Sequence, residues 1–244
     1  MLDAHILSRG VERVVAIHQP NFLPWLGWFD KAARADVFVL LDHVQFPRTS
    51  RGTYVNRVKL LVNGSGKWVT APIVRSGGSM QRIDEVRVDD AQPWREKALR
   101  TIEHNYRRAP AFDDIFPLVS AALGQSTERL AELNENAARS IAVTLGLSGT
   151  WFVRSSSLDV SSHATDLLID LTKAVGGTTY LAGGLAGSTY QEDEKFELAG
   201  IELRYQQFEH PQYRQAVDEF VPGLSVVDAL MNLGPRATGA LLGK

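Results

Sequence analysis

Side chains able to carry acid–base and anion-binding chemistry gather at two places early in the chain. His18, Gln19 and Asn21 follow the run Val14-Val15-Ala16-Ile17, and Asp42, His43, Gln45 and Arg48 follow the run Val37-Phe38-Val39-Leu40-Leu41. An imidazole at a strand end can donate a hydrogen bond to a developing negative charge, and the free N–H groups of a following helical turn attract phosphate or carboxylate. A carboxylate such as Asp42 can orient or deprotonate an amine or hydroxyl, or hold a ribose hydroxyl. His18, Asn21 and Asp42 are therefore the candidate catalytic residues. Spacing alone leaves a structural alternative for the first and last: a histidine satisfied within a turn, and a loop carboxylate capping Val44 or Gln45.

Candidate substrate contacts surround these clusters. Gln19 and Trp25 flank the first, and Gln45 and Arg48 belong to the second. Asn56 and Arg57 pair an amide with a charge suited to an anionic substrate, although the start of an exposed strand fits them equally. Ser155 and Ser156 end a strand-like run, where hydroxyls and backbone N–H groups can hold phosphate oxygens, and Ser161 and Ser162 suit helix capping. The segment Tyr180–Tyr190 is glycine-rich, but its glycines at 183, 184 and 187 do not make G-x-G-x-x-G and the lysine of a P-loop is missing. It reads as a loop that lets backbone approach a ligand, with Tyr190 as a wall.

The exclusions are sharper. With no cysteine there is no thiolate nucleophile, disulfide or thiolate metal site. The six histidines lack H-E-x-x-H or comparable spacing, so no metal site is expected, and the absence of G-x-S-x-G gives no support to an α/β-hydrolase triad.

These residues need elements to position them. The two apolar runs predict strands, with a helix between them suggested by Phe22, Trp25, Phe29 and Ala32, Pro24 suiting its first turn and Asn21 its cap. A continuous apolar strand beside a helix is the pattern of a parallel sheet covered on both faces. Short strands follow at Arg57–Val62, Trp68–Val74 and Ile83–Val88, separated by turn chemistry at 63–66 and 77–79. Two helices are expected at Trp94–Tyr106 and Leu130–Leu145. Alternation then resumes with strand Trp151–Arg154, helix Ala164–Val175, strand Thr178–Leu181, strand Ile201–Phe208 and a helix opened by Ser225 and stopped by Gly234. The expected fold is α/β, a layered, mostly parallel, Rossmann-like sheet. After a frayed start at 1–13, one α/β domain is expected over 14–244, with a β segment at 56–88 and a helical lobe at about 92–147.

Composition bounds the partners. The chain has 244 residues, 44% of them hydrophobic and 22% charged, with a net charge of −2, which is ordinary globular composition. From Arg48 to Arg108 there are 13 basic against 6 acidic residues, a candidate anion-binding stretch or a solvated face. No nucleic-acid-binding signature is present. No run is long enough to span a membrane, and Met1–Val15 lacks a signal-peptide core, so a soluble protein is expected, and the absence of cysteine makes a reducing cytoplasm its natural compartment. A small anionic or sugar-like substrate fits the polar clusters, and a homodimer is compatible with them.

As a set, these residues resemble the WbqC-like family. The resemblance is carried by the string from His18 to Gly27, by Ala35–Asp42, Val44–Phe46, Asn56-Arg57, Ser155-Ser156, Tyr180–Gly183, Tyr205-Gln206 and Pro222–Ser225 with Asp228 and Asn232, and it runs from about Val14 to Gly234. It implies a biosynthetic enzyme of surface-polysaccharide or natural-product pathways, with transfer of an aminoacyl group such as glycyl onto a sugar as the suggested reaction. A more distant likeness to pantothenate synthetases and the nucleotidyltransferase superfamily, whose H-x-G-H motif lies against ATP phosphates, implies an ATP/Mg site. His18 then stands for the first histidine, Asn21 for the second and Pro20 for the glycine. A non-catalytic glycan- or partner-binding role, with Trp25, Trp28, Trp68 and Trp94 as a stacking surface, is the alternative.

Overall fold

The structure is a computed structural model describing residues 12–47, 53–74, 81–184 and 192–243. The chain divides into two units. The first comprises Met1–His18, Lys31–Leu41 and Gly149–Phe208, and the second Gln19–Asp30, Asp42–Ser148 and Glu209–Lys244. Strands are β1 (Val14–His18), β2 (Val37–Leu40), β3 (Arg57–Val62), β4 (Ser65–Thr70), β5 (Trp151–Arg154), β6 (Thr179–Ala182) and β7 (Glu202–Tyr205). The division passes through helix α1 (Leu26–Ala33) between Asp30 and Lys31.

The first unit is built on a five-stranded parallel sheet ordered β5-β2-β1-β6-β7. All four residues of β2 and all four of β6 are buried, which is why both read as unbroken apolar or small-residue runs. Helices α5 (Ala164–Ala174) and α6 (Asp193–Leu198) pack on this sheet, with Phe196 of α6 stacked on Tyr180 of β6 at 5.3 Å between ring centroids. Phe38 and Phe152 meet across β2 and β5 at 5.4 Å. The α/β layered fold expected from the residues is the fold observed.

The second unit is mainly helical. Helices α2 (Trp94–Tyr106), α3 (Phe112–Leu123), α4 (Leu130–Thr144), α7 (Val226–Leu233) and α8 (Pro235–Gly239) accompany the antiparallel hairpin β3–β4. The hairpin turns at Asn63 and Gly64, both at positive φ (49° and 76°), the conformation a two-residue turn with the right twist requires. Its core includes Phe22, Trp28, Phe29, Leu60, Ile102 and Ile115. A polar knot ties three elements together. The Asp228 carboxylate on α7 accepts from Tyr106 Oη (2.9 Å), Tyr213 Oη (2.8 Å) and Gln215 Nε2 (3.0 Å), and Tyr106 Oη accepts from the Leu61 N–H of β3 (2.9 Å).

Several elements differ from expectation. Helix α3 was not anticipated, and Ile83–Glu85 forms a 3-10 turn where a strand was expected. The N–H groups of Ile83 and Asp84 bond to the carbonyls of Val44 and Asp42, so this segment pairs with the chain after β2 instead of joining a regular sheet. Strand β4 begins at Ser65, because only Asn63 and Gly64 are needed for the turn.

Candidate functional site

The chain lays down β1, then β2, then β5 on one side of β1, and returns to the other side for β6 and β7. This reversal makes the interval between β1 and β6 a topological switch point, the place where open parallel sheets receive ligands beyond the carboxyl ends of their strands. The hydrogen-bonded registers mark the opening. Pairing of β1 with β6 ends at Ala16–Leu181, whereas β1 stays paired with β2 to His18–Leu40, and β6 with β7 to Ala182–Tyr205. Backbone bonds extend both outer ladders, Leu41 N to His18 O at 2.8 Å and Gln206 N to Ala182 O at 3.0 Å.

His18 closes β1 at the edge of this opening and is half-buried. Its register partner is Leu40 of β2, whose own partner is Arg154 of β5. Register partners share a face, so His18, Leu40 and Arg154 form one row at the carboxyl edge. With strands spaced about 4.8 Å apart, the Cα atoms of His18 and Arg154 stand about 10 Å from each other, a span that suits a phosphate or a sugar ring. After Arg154 the backbone turns through Ser155–Ser157, with Ser155 buried, Ser156 exposed and Ser157 Oγ donating to the Arg154 carbonyl at 2.7 Å.

On the far side of the opening, β6 runs into Gly183 and Gly184. Among the described residues a side chain at Gly183 would meet nothing within 4 Å, and one at Gly184 would crowd the Gln206 carbonyl at 3.2 Å. The first glycine thus leaves its surroundings clear of the described residues, and the second allows two backbones to approach. Tyr205 Oη donates to Asp193 at 2.6 Å, and burial with that carboxylate pushes its pKa up to about 12. A cavity of about 290 Å³ on this flank is lined by Arg34, Leu181, Arg204, Tyr205 and Gln206, among others. Arg204 there is paired with Glu12 and Glu202.

The first unit therefore gathers His18, Ser155 and Ser156 of the anticipated residues at one sheet edge. Gln19, Asn21, Trp25, Asp42, Gln45, Asn56 and Arg57 belong to the second unit. There Asn21 and Asp42 are buried, Trp25 is half-buried and stacks with His210 at 6.5 Å, and Gln45 is exposed in a bridge to Arg82. The segment after Gln19 is firmly held. Asn134 Nδ2 donates to the carbonyls of Pro20 (2.9 Å) and Val55 (2.7 Å), Ser225 Oγ donates to the Leu23 carbonyl (2.7 Å), and Leu23 takes a positive φ of 41°.

His43 has its pKa lowered chiefly by burial, with Asp42 and Asp84 acting in the opposite sense and Arg82 adding to the lowering. Asn56 holds its own loop, its Nδ2 donating to the Ala71 carbonyl and its Oδ1 accepting from Thr53 N–H. The Arg57 guanidinium lies 4.0 Å from the centroid of Trp68, which is exposed beside Tyr54. Arg48 and Tyr190 lie outside the described residues.

Sequence reasoning did not single out Arg154, whose place in the row depends on a register between strands far apart in the chain. It also gave no role to Lys31, a lysine buried in the first unit, or to the charge carried by Asp228 inside its knot. Among the described residues no group of three or more histidine, aspartate or glutamate side chains is arranged to hold a metal ion. No helix among them is long and apolar enough to cross a membrane.

Comparison with known proteins gives three results. Residues 19–240 match the WbqC-like protein family. An uncharacterized protein of Mycobacterium tuberculosis is 29% identical over 225 residues, covering 91% of this chain and 95% of the relative. No solved structure matches.

Proposed function

The chain belongs to the WbqC-like protein family, and on that premise we propose that it is a biosynthetic enzyme transferring an acyl group, aminoacyl and specifically glycyl in the leading case, onto an amine or hydroxyl of a sugar or natural-product intermediate. The observation that carries this reading is His18 at the opening between β1 and β6, with Arg154 in the same row of strand ends about 10 Å away across β2. In acyl transfer the donor carbonyl oxygen gains negative charge as the acceptor nitrogen or oxygen attacks, and the bond to the leaving group then breaks. A preorganised imidazole N–H donor and a guanidinium at the strand edge suit that charge, or a phosphate on the donor. Ser155 and Ser156 supply further donors at the same edge, and the glycines after β6 leave room for the donor's backbone-like portion.

A nucleotide-activated donor is the finer expectation, tested by saturable ATP binding. The observation bearing on it is that Pro20 is buried with its carbonyl bonded to Asn134, and that Asn21 is buried as well. A proline and a neutral amide at these positions do not reproduce a phosphate cradle built from glycine and a second histidine, and the acyl transfer proposed for this edge does not depend on ATP or magnesium. The burial of Trp28 and Trp94 in the core takes two of the four tryptophans out of a stacking surface, leaving Trp25 half-buried and Trp68 exposed.

The test is a product screen by mass spectrometry, pairing glycyl and other aminoacyl donors with amino- and hydroxyl-bearing sugar acceptors. His18→Ala should fold normally and lose about 10² to 10³ in turnover, the usual effect of removing one such donor. Full turnover by a folded His18→Ala protein rejects the assignment.

A further inference from the structure

Lys31 is 2% exposed, and its Nζ donates to the Ile17 carbonyl at 2.8 Å. The same nitrogen stands 5.9 Å from the centroid of the Tyr180 ring. An ammonium carries three N–H donors. Among the described residues that one carbonyl is its hydrogen-bond acceptor, and no carboxylate pairs with it. Burying a cation with donors unused and no counter-charge is expensive, and an apolar side chain of similar length would fill the volume without that cost. Its location is the informative part. Ile17 is the first residue of β1 beyond the last pair with β6, and Tyr180 lies on β6. The amine thus lies at the floor of the opening between the carboxyl ends of these two strands, below His18 and the glycines after β6.

We propose that Lys31 is the anion-receiving residue of this opening, directing its two unused N–H donors at an oxyanion of the ligand, a phosphate or a carboxylate group. The proposal rests on the strand-edge reading above and deepens it by naming the charge class that reaches the switch point. A lysine suits the task as a compact point charge for such groups. Burial pushes its pKa down to about 7, so in the free protein the amine releases its proton near neutrality. An arriving oxyanion restores the charge, with the proton taken from solvent. The other titratable groups on β1, β6 and β7 are His18, which follows Ile17, Tyr180 and Tyr205, both held neutral by burial, and Glu202 and Arg204, which pair with each other.

The experiment is calorimetric titration of the full chain with inorganic pyrophosphate and, separately, with glycine, in wild type, Lys31→Met and His18→Gln. Wild type should bind at least one probe saturably. Lys31→Met, which retains the length and removes the charge, should bind it at least tenfold more weakly, and the affinity of the wild type should fall from pH 7 to pH 9 while any residual affinity of the variant stays flat. Pyrophosphate as the bound probe identifies a phosphate site, and glycine a carboxylate site. Undiminished binding by folded Lys31→Met overturns the role of Lys31, and weakened binding by His18→Gln in that case leaves the strand-edge reading standing. Absence of binding of both probes to wild type overturns the proposal. Should Lys31→Met fail to fold, nitrogen NMR of the wild-type Lys31 amine decides. Its titration midpoint should rise when the probe is added, and an unchanged midpoint overturns the proposal.

Discussion

Asp228→Ala should be among the most damaging single substitutions in the second unit, and Asp228→Asn should be mild. The carboxylate is fully buried and accepts from Tyr106, Tyr213 and Gln215. Alanine strands all three donors, and an unmade buried hydrogen bond costs on the order of 1–3 kcal/mol, so the loss should reach about 3–5 kcal/mol. Asparagine can place its Oδ1 toward Tyr213 and Gln215 and its amide toward the Tyr106 oxygen, leaving one hydroxyl proton without its acceptor. The cost should then be about 1 kcal/mol, partly offset because no charge is buried.

The two forms should also part with pH. Burial raises the Asp228 pKa, against the opposing pull of its hydrogen bonds from Tyr213, Tyr106 and Gln215. A carboxyl with a raised folded pKa contributes stability that is complete below its unfolded value and lost as pH rises through the folded value. Wild type should therefore gain on Asp228→Asn as the solution is acidified. Urea unfolding followed by tryptophan fluorescence at several pH values measures both differences. An alanine variant within 1 kcal/mol of wild type, or a gap that moves the other way on acidification, refutes the accounting.

Three further outcomes are expected. Gly177→Ala should lose about 1–3 kcal/mol in thermal or urea unfolding, because its Cβ would lie 2.8 Å from both the Thr172 carbonyl oxygen and Cγ2 and closer still to Val15 Cγ2. Asn134→Ala should cost about 2–4 kcal/mol by leaving the Pro20 and Val55 carbonyls without their donor, and limited proteolysis should then cut within 19–25 sooner than in wild type. The depressed pKa of Lys31 should make wild type gain stability relative to Lys31→Met as pH rises from about 7 toward its unfolded value near 10.5, with a slope of up to about 1.4 kcal/mol per pH unit, and a pH-independent difference between the two would contradict the burial of its amine.

Much of the first unit is legible because local and tertiary demands coincide there. A strand covered on both faces must be apolar throughout, and Val37–Leu40 announces this without ambiguity. Ser225 likewise caps its helix as its type suggests, accepting from the Val227 N–H. Helix α3 was hidden by Pro117, which removes one donor from its interior. Burial of Ile115, Val119, Ala122 and Leu123 compensates, and that burial depends on neighbours distant in the chain. The candidate site divides along the same line. His18, Ser155 and Ser156 follow strand-like runs and can be picked out by type and position. Arg154 acquires its place only through the pairing of β5 with β2, and Lys31 only through the reach of its side chain from α1 to the end of β1. Neither relation has a periodicity to read.

The insertion of Asp42–Ser148 between β2 and the rest of the parallel sheet has a cost during synthesis. β1 and β2 leave the ribosome as a bare apolar pair and must wait for β5, β6 and β7 to emerge before either flank is covered. Such late closure of distant partners slows productive assembly and exposes sticky strand edges to aggregation. A nascent chain arrested before Gly149 would carry that hazard at its maximum, and expression of this protein should respond to the supply of holding chaperones more than its finished architecture would suggest.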